Sequence, residues 1–280
     1  HGRGLSLLLQ RWPQVPIYAT AATVALLADR ALAQSIRTLP WRVPVEVADN
    51  LTMELWPAGH LPGAACALLT YIHGAKRYQL FYTGDCCLSS TRLVDGLNPD
   101  VPTVAGSSGT ARYPNRRQQE KQLAKRLRSH LEQSRCVVFP APLMGLGQEL
   151  LMLWRSHYHF TGQPLTIWVD PALAHSCDAY LELLAQMPAA FSRNVQNFAQ
   201  HQSIFWDERI NPTIKRLPRL SDDWQQAYTF EAPAVLLVHP ATPVALYCER
   251  YRGAWSAFLP EQAKIRPGRP RNAPSGRNGR

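Results

Sequence analysis

Two hydrophobic patterns divide this chain. Between residues 51 and 82 the apolar and aromatic positions fall in three short runs, 51–56, 64–71 and 77–82, and His73-Gly74-Ala75-Lys76 links the last two. Runs of that length between turn residues predict strands, and so short a link predicts a hairpin. Beyond residue 112 the pattern changes. Leu123, Leu127 and Leu131 recur every four residues with Ala124 beside them, which predicts an amphipathic helix over 114–133 with Pro114 in its first turn. Strand-like runs at 136–139, 165–169 and 232–239 then alternate with helical ones at 148–158, 172–186 and 244–251. That alternation is the mark of parallel βαβ units, so the fold class is α/β. Ahead of both patterns, an apolar stretch at 5–9 leads to a strand at 16–20 and a helical run over 21–35.

The hairpin brings two chemically useful residues into range of each other. His60 just precedes the run at 64–71, and Asp85 just follows the run at 77–82. Antiparallel neighbours place opposite ends at the same edge, so both side chains can reach one metal ion. Imidazole and carboxylate are both acceptable zinc ligands. Gly59, Gly63 and Gly84 permit the positive φ that fixes a ligand on a tight turn. A plainer reading makes His60 and Thr83-Gly84-Asp85 ordinary turn residues.

The order of the motifs discriminates between these readings. His1-Gly2-Arg3-Gly4-Leu5, then Gly59-His60-Leu61-Pro62-Gly63-Ala64, then Thr83-Gly84-Asp85 and finally Gly106 through Arg117 resemble the metallo-β-lactamase fold, in particular its β-CASP branch, which processes nucleic acids. The resemblance covers residues 1–260. It implies a partial metallo-β-lactamase αββα sandwich over 1–105, an inserted β-CASP-like parallel βα domain over 106–262 and a basic disordered tail over 263–280. It further implies metal ligation by His1, His60 and Asp85, with Asp85 bridging two zinc ions, and phosphate contacts from Arg112 and Arg116. The activity implied is hydrolysis of phosphodiester bonds in RNA or DNA by a two-metal activated water, with RNA the favoured partner. On this resemblance the general base lies upstream of His1 and the chain is truncated at both ends. By itself it is then expected to hold zinc weakly and to show no nuclease activity. Ala105 stands where the branch carries an acid. That residue keeps open an alternative, a catalytically inactive relative that binds nucleic acid or a protein partner.

Composition narrows the setting. A chain of 280 residues with 46% hydrophobic content can bury a proper core. No apolar run approaches the roughly 20 residues of a membrane-spanning helix, so no membrane partner is expected and the location is read as cytoplasmic. The six cysteines, Cys66, Cys86, Cys87, Cys136, Cys177 and Cys248, are scattered and form no Cys-x-x-Cys, which favours reduced thiols. The formal charge of +10 is less telling than it looks, because six of those charges are Lys264, Arg266, Arg269, Arg271, Arg277 and Arg280 in the tail. The polar face of the helix at 114–133 carries Arg116, Arg117, Lys121, Lys125, Arg126 and Arg128, either a solvated face or a phosphate-binding one. A homodimer stays open as the oligomeric state. His157 and His159, two residues apart, are placed on different faces of their helix, in packing or surface roles.

Overall fold

The computed structural model describes residues 4–27, 29–98, 115–219, 233–249 and 253–258. His1, Ala105, Arg112, Pro114 and the 263–280 tail lie outside them. The chain opens with helix α1 (Leu5–Arg11), strand β1 (Ile17–Ala19), helices α2 (Ala21–Ala25) and α3 (Arg30–Gln34), and strand β2 (Ile36–Thr38), which pairs in parallel with β1. The expected run over 21–35 is thus two helices, because Thr20 and Asp29 each cap a separate start by accepting from the backbone three residues on.

Next come β3 (Val45–Ala48), β4 (Leu51–Pro57), β5 (Ala65–His73) and β6 (Lys76–Tyr82), a four-stranded antiparallel meander in sequence order. The β5–β6 turn is tighter than its motif suggested: His73 and Lys76 already pair, and Gly74 supplies the positive φ. One face of this sheet is apolar up to the hairpin end, where His73 and Lys76 stand on it. Leu51, Met53 and Leu55 of β4 stand beside Tyr71, Leu69 and Ala67 of β5, which stand beside Tyr78, Leu80 and Tyr82 of β6. Leu80 is 61% exposed and Tyr82 67%.

The second half is a parallel sheet. Its strands are β7 (Cys136–Pro140), β8 (Thr166–Val169), β9 (Thr213–Arg216), β10 (Ala234–Val238) and β11 (Trp255–Ala257), in the spatial order β11-β7-β10-β8-β9. Helices α4 (Arg116–Leu131), α5 (Leu146–Ser156), α6 (Pro171–Gln186), α7 (Arg193–Ala199) and α8 (Val244–Cys248) run between the strands. Every residue of β7 and β10 is buried, as befits central strands covered on both faces. Alternation along them feeds two cores. Val137, Phe139, Val235 and Leu237 pack with Leu127, Leu151, Trp154 and Tyr180, while Cys136, Val138, Leu236 and Val238 pack with Tyr247. Among the described residues no helix is long and apolar enough to cross a membrane.

Two helix boundaries differ from the sequence reading. Asn115, not Pro114, starts α4, through a capping box with Gln118. Helix α5 stops at Ser156, so His157 and His159 sit in the following turn and not on opposite helix faces.

The two halves meet at one carboxylate. Glu149, buried in the first turn of α5, accepts from the backbone N–H groups of Arg92 (2.9 Å) and Leu93 (3.0 Å) and from the Arg116 guanidinium (2.6 Å). Arg116 also pairs with Glu120 at 2.8 Å, and Glu120 with Arg92 at 2.7 Å. Removing an acceptor from a buried, hydrogen-bonded charge cluster strands its donors and costs about 3–5 kcal/mol. Glu149→Ala is therefore expected to lower the urea midpoint by an amount equivalent to about 3 kcal/mol; an unchanged midpoint would show that the joint carries no stability.

Candidate functional site

The β4–β5 connection is a turn built on glycine. Gly59 (φ +68°) and Gly63 (φ +82°) take left-handed backbone, Ala58 donates to Ala64 at 2.9 Å, and Ala64 donates to Leu61 at 3.0 Å. From across the fold, the hydroxyls of Thr20 and Thr23 both donate to the Gly63 carbonyl at 2.7 Å. The approach leaves no room for a side chain, since a Cβ on Gly63 would lie 2.8 Å from the Thr23 nitrogen. His60 rides on this turn, half-buried.

Asp85 reaches the same place by a second route. After β6 the chain turns at Gly84 (φ +56°) and passes back over the end of the sheet. There the Cys87 N–H donates to Ala58 at 2.9 Å, and the Cys66 thiol donates to the Thr83 carbonyl at 3.2 Å. Residue 87 is thus bonded to residue 58, each two positions from a candidate ligand. The structure brings His60 and Asp85 to one end of the antiparallel sheet, with Asp85 exposed.

That end faces the carboxyl edge of the parallel sheet. Leu61 lies so close to Gly145, in the β7–α5 connection, that a Cβ there would fall 2.5 Å from the leucine side chain. Gly145 takes φ +93° and Gly147 packs on Leu173, Ala141 and Leu237, so both glycines serve close packing. Asp170, at the end of β8, holds the neighbouring strand ends together: it caps α6 through the Leu173 N–H (2.8 Å), accepts from Thr242 Oγ1 (2.5 Å) and accepts from the His239 N–H. Carboxyl strand edges are where open α/β sheets place ligands. Behind the His60 turn lies a cavity of about 290 Å³ lined in part by Trp41, Trp56 and Arg42, whose guanidinium stacks over Trp56 at 4.8 Å.

The remaining site residues fall elsewhere. Arg116 belongs to the joint between the halves, with its side chain one-third exposed. His1 and Arg112 lie outside the described residues, as does Ala105. Sequence reasoning missed Thr20, Thr23, Glu149 and Asp170. Thr20 and Asp170 were visible only as cap residues ahead of helices, and nothing local marked their long-range partners.

The sequence was also compared with known proteins. No protein-family model matches it. An uncharacterized protein of Synechocystis is 41% identical over 93% of this chain and 48% of its own length. The transcription termination factor FttA of Lokiarchaeum is 30% identical over 42% of this chain and 20% of its own, and the endoribonuclease ysh-1 of Neurospora crassa is 28% identical over 62% and 22%. These similarities are consistent with a fold that joins an antiparallel sheet to a parallel one, and they point one way.

The chain is a homologue of the metallo-β-lactamase/β-CASP RNA-processing nucleases.

It spans about half the length of the Synechocystis relative and about a fifth of the other two. The metallo-β-lactamase/β-CASP family is normally metal-dependent. Against that, no three His, Cys, Asp or Glu side chains come together among the described residues, and a zinc site takes three or four protein ligands. His60 and Asp85 do not make a metal site unaided, and no catalytic step is derived through one.

The thiols near the turn are poor candidates to complete it. Burial pushes Cys66 up to about 11 and Cys87 upward from the usual thiol value, which favours the protonated form over a ligating thiolate. Deeper in the fold, burial pushes Cys136 and Cys177 up to about 12. At pH 8 iodoacetamide is expected to leave Cys136 and Cys177 unmodified until denaturant is added, as read by mass spectrometry; rapid native labelling of either would contradict the burial described. Gly63→Ala should cost about 1–3 kcal/mol in stability, since it combines a strained φ with a backbone collision. Thermal unfolding checks this, and an unshifted transition would mean that the two threonine contacts do not hold the turn.

Proposed function

We propose that this chain forms one wall and part of the ligand set of a zinc-dependent cleft that hydrolyses phosphodiester bonds in RNA. The observation that carries this reading is the strap of residues 83–87 across the His60 turn, which holds an imidazole and a carboxylate at one end of the antiparallel sheet, beside the contact of Leu61 with Gly145. In this reading His60 and Asp85 are metal donors, joined by His1 and other groups outside the described residues. Arg112 meets the substrate backbone. Arg116 uses Nε for Glu120 and one terminal nitrogen for Glu149, which leaves N–H donors on its exposed side for a phosphate oxygen. The likeness to the endoribonuclease ysh-1 of Neurospora crassa supports RNA as the substrate class.

One observation favours the alternative of a binding protein without catalysis, namely Ala105 at the position where the branch carries an acid. A single experiment separates the two. Labelled single-stranded RNA is incubated with the purified protein and zinc, and with the His60→Ala and Asp85→Asn variants. Cleavage that falls about 100-fold or more in both variants, with binding held within a few-fold, supports the hydrolase. Binding without cleavage in all three proteins supports the non-catalytic relative, and absence of both overturns the reading of this cleft.

A further inference from the structure

We infer that the turn after α5 is a stacking platform for single-stranded RNA, fed by a stripe of cations along α4. The inference rests on the RNA reading above and assigns that substrate a second place of contact, away from the His60 turn. Residues 157–160 gather four rings in one turn. The His157 and Tyr158 ring centres are 4.6 Å apart at 27°, those of Tyr158 and His159 4.1 Å apart at 44°, and Phe160 stands behind His157 at 5.8 Å. Phe160 is buried and anchors the group, whereas Tyr158 is 70% exposed.

The rings are held in place by hydrogen bonds. His157 Nδ1 accepts from the His159 N–H at 3.3 Å, and His159 Nδ1 accepts from Arg128 Nη1 at 3.0 Å. An arginine can only donate, so His159 carries its own proton on Nε2 when neutral. Burial, with His159 and Arg92 adding to it, lowers the His157 pKa and keeps that ring uncharged near pH 7. The cluster therefore presents stacked rings, which suits bases.

Arg128 also ties the platform to the helix. Arg117, Lys121 and Lys125 follow at four-residue steps and Arg128 closes the series, so all four line one flank of α4 and all are exposed. The nearby acid, Glu132, is held by Arg128 at 2.6 Å. The stripe runs from the joint at Arg116 and Glu149 to the rings of His159 and Tyr158, and α5 covers the same interval, roughly 16 Å for eleven residues. A track of cations that ends on stacked rings matches what an unpaired strand offers: regular phosphates and bases free to stack. A duplex, with its bases already stacked on each other, could use the cations but not the platform.

The test is fluorescence anisotropy with a labelled single-stranded oligouridylate and a duplex RNA of equal length. Tyr158→Ala should weaken single-strand binding roughly 5- to 100-fold and leave duplex binding unchanged, with Tyr158→Phe restoring the parent value. Lys121→Gln with Lys125→Gln should weaken both RNAs and flatten the dependence of log affinity on log salt. Equal single-strand affinity in the parent protein and Tyr158→Ala overturns the platform. If His60→Ala or Asp85→Asn still impairs cleavage in that case, the cleft reading stands without it. Failure of the parent protein to bind either RNA overturns both.

Discussion

A single buried carboxylate governs how the two sheets of this protein face each other. Glu149 cannot be left alone in the interior, because an unpaired buried charge costs several kcal/mol. Its partners come from two stretches of sequence outside its own helix: the backbone N–H groups at 92 and 93, and the guanidinium at the start of α4. Satisfying one side chain therefore fixes the segment leaving the antiparallel sheet, the entry to α4 and the start of α5 together. Once α5 is placed, Gly145 comes to rest against Leu61, and the opening beside His60 acquires its second wall. The position of the candidate site is in this sense a consequence of where a charge is allowed to be buried.

Much of the architecture was legible in the sequence because burial on both faces leaves an unmistakable trace. Alanine-Val-Leu-Leu-Val at 234–238 and the run from Cys136 have no polar position to spare, and they became the central strands β10 and β7. Short or edge elements were not legible. Strand β9 reads Thr-Ile-Lys-Arg, with one buried residue, and β11 has three residues with none; at such lengths neighbours decide the conformation more than propensity does. The antiparallel hairpin was legible from its turn, and with it the approach of His60 to Asp85.

The site itself was legible only in part, for the same physical reason. A ligand on a glycine turn announces itself locally, whereas the groups that position it act across the chain. Thr20 and Thr23 precede Gly63 by some forty residues and yet hold its carbonyl, and Asp170 reaches Thr242 over a still longer separation. The histidines at 157 and 159 show the converse error. Helical phase separated them on paper, but α5 ends two residues earlier, at Ser156, and a turn folds the rings together.

The apolar face of the antiparallel sheet bears on how the polypeptide behaves as a colloid. Among the described residues β6 is an edge strand with Leu80 and Tyr82 in solvent, and its outer rim of backbone groups resembles a template for another strand. Lys76 and Arg77 guard only the hairpin end, whereas the end that leads to Asp85 has no such charge. Crowding of these molecules would set the unguarded end against its counterpart before the cationic end could repel it, so recovery from denaturant becomes a contest between closing the Glu149 joint and sticky encounters at β6.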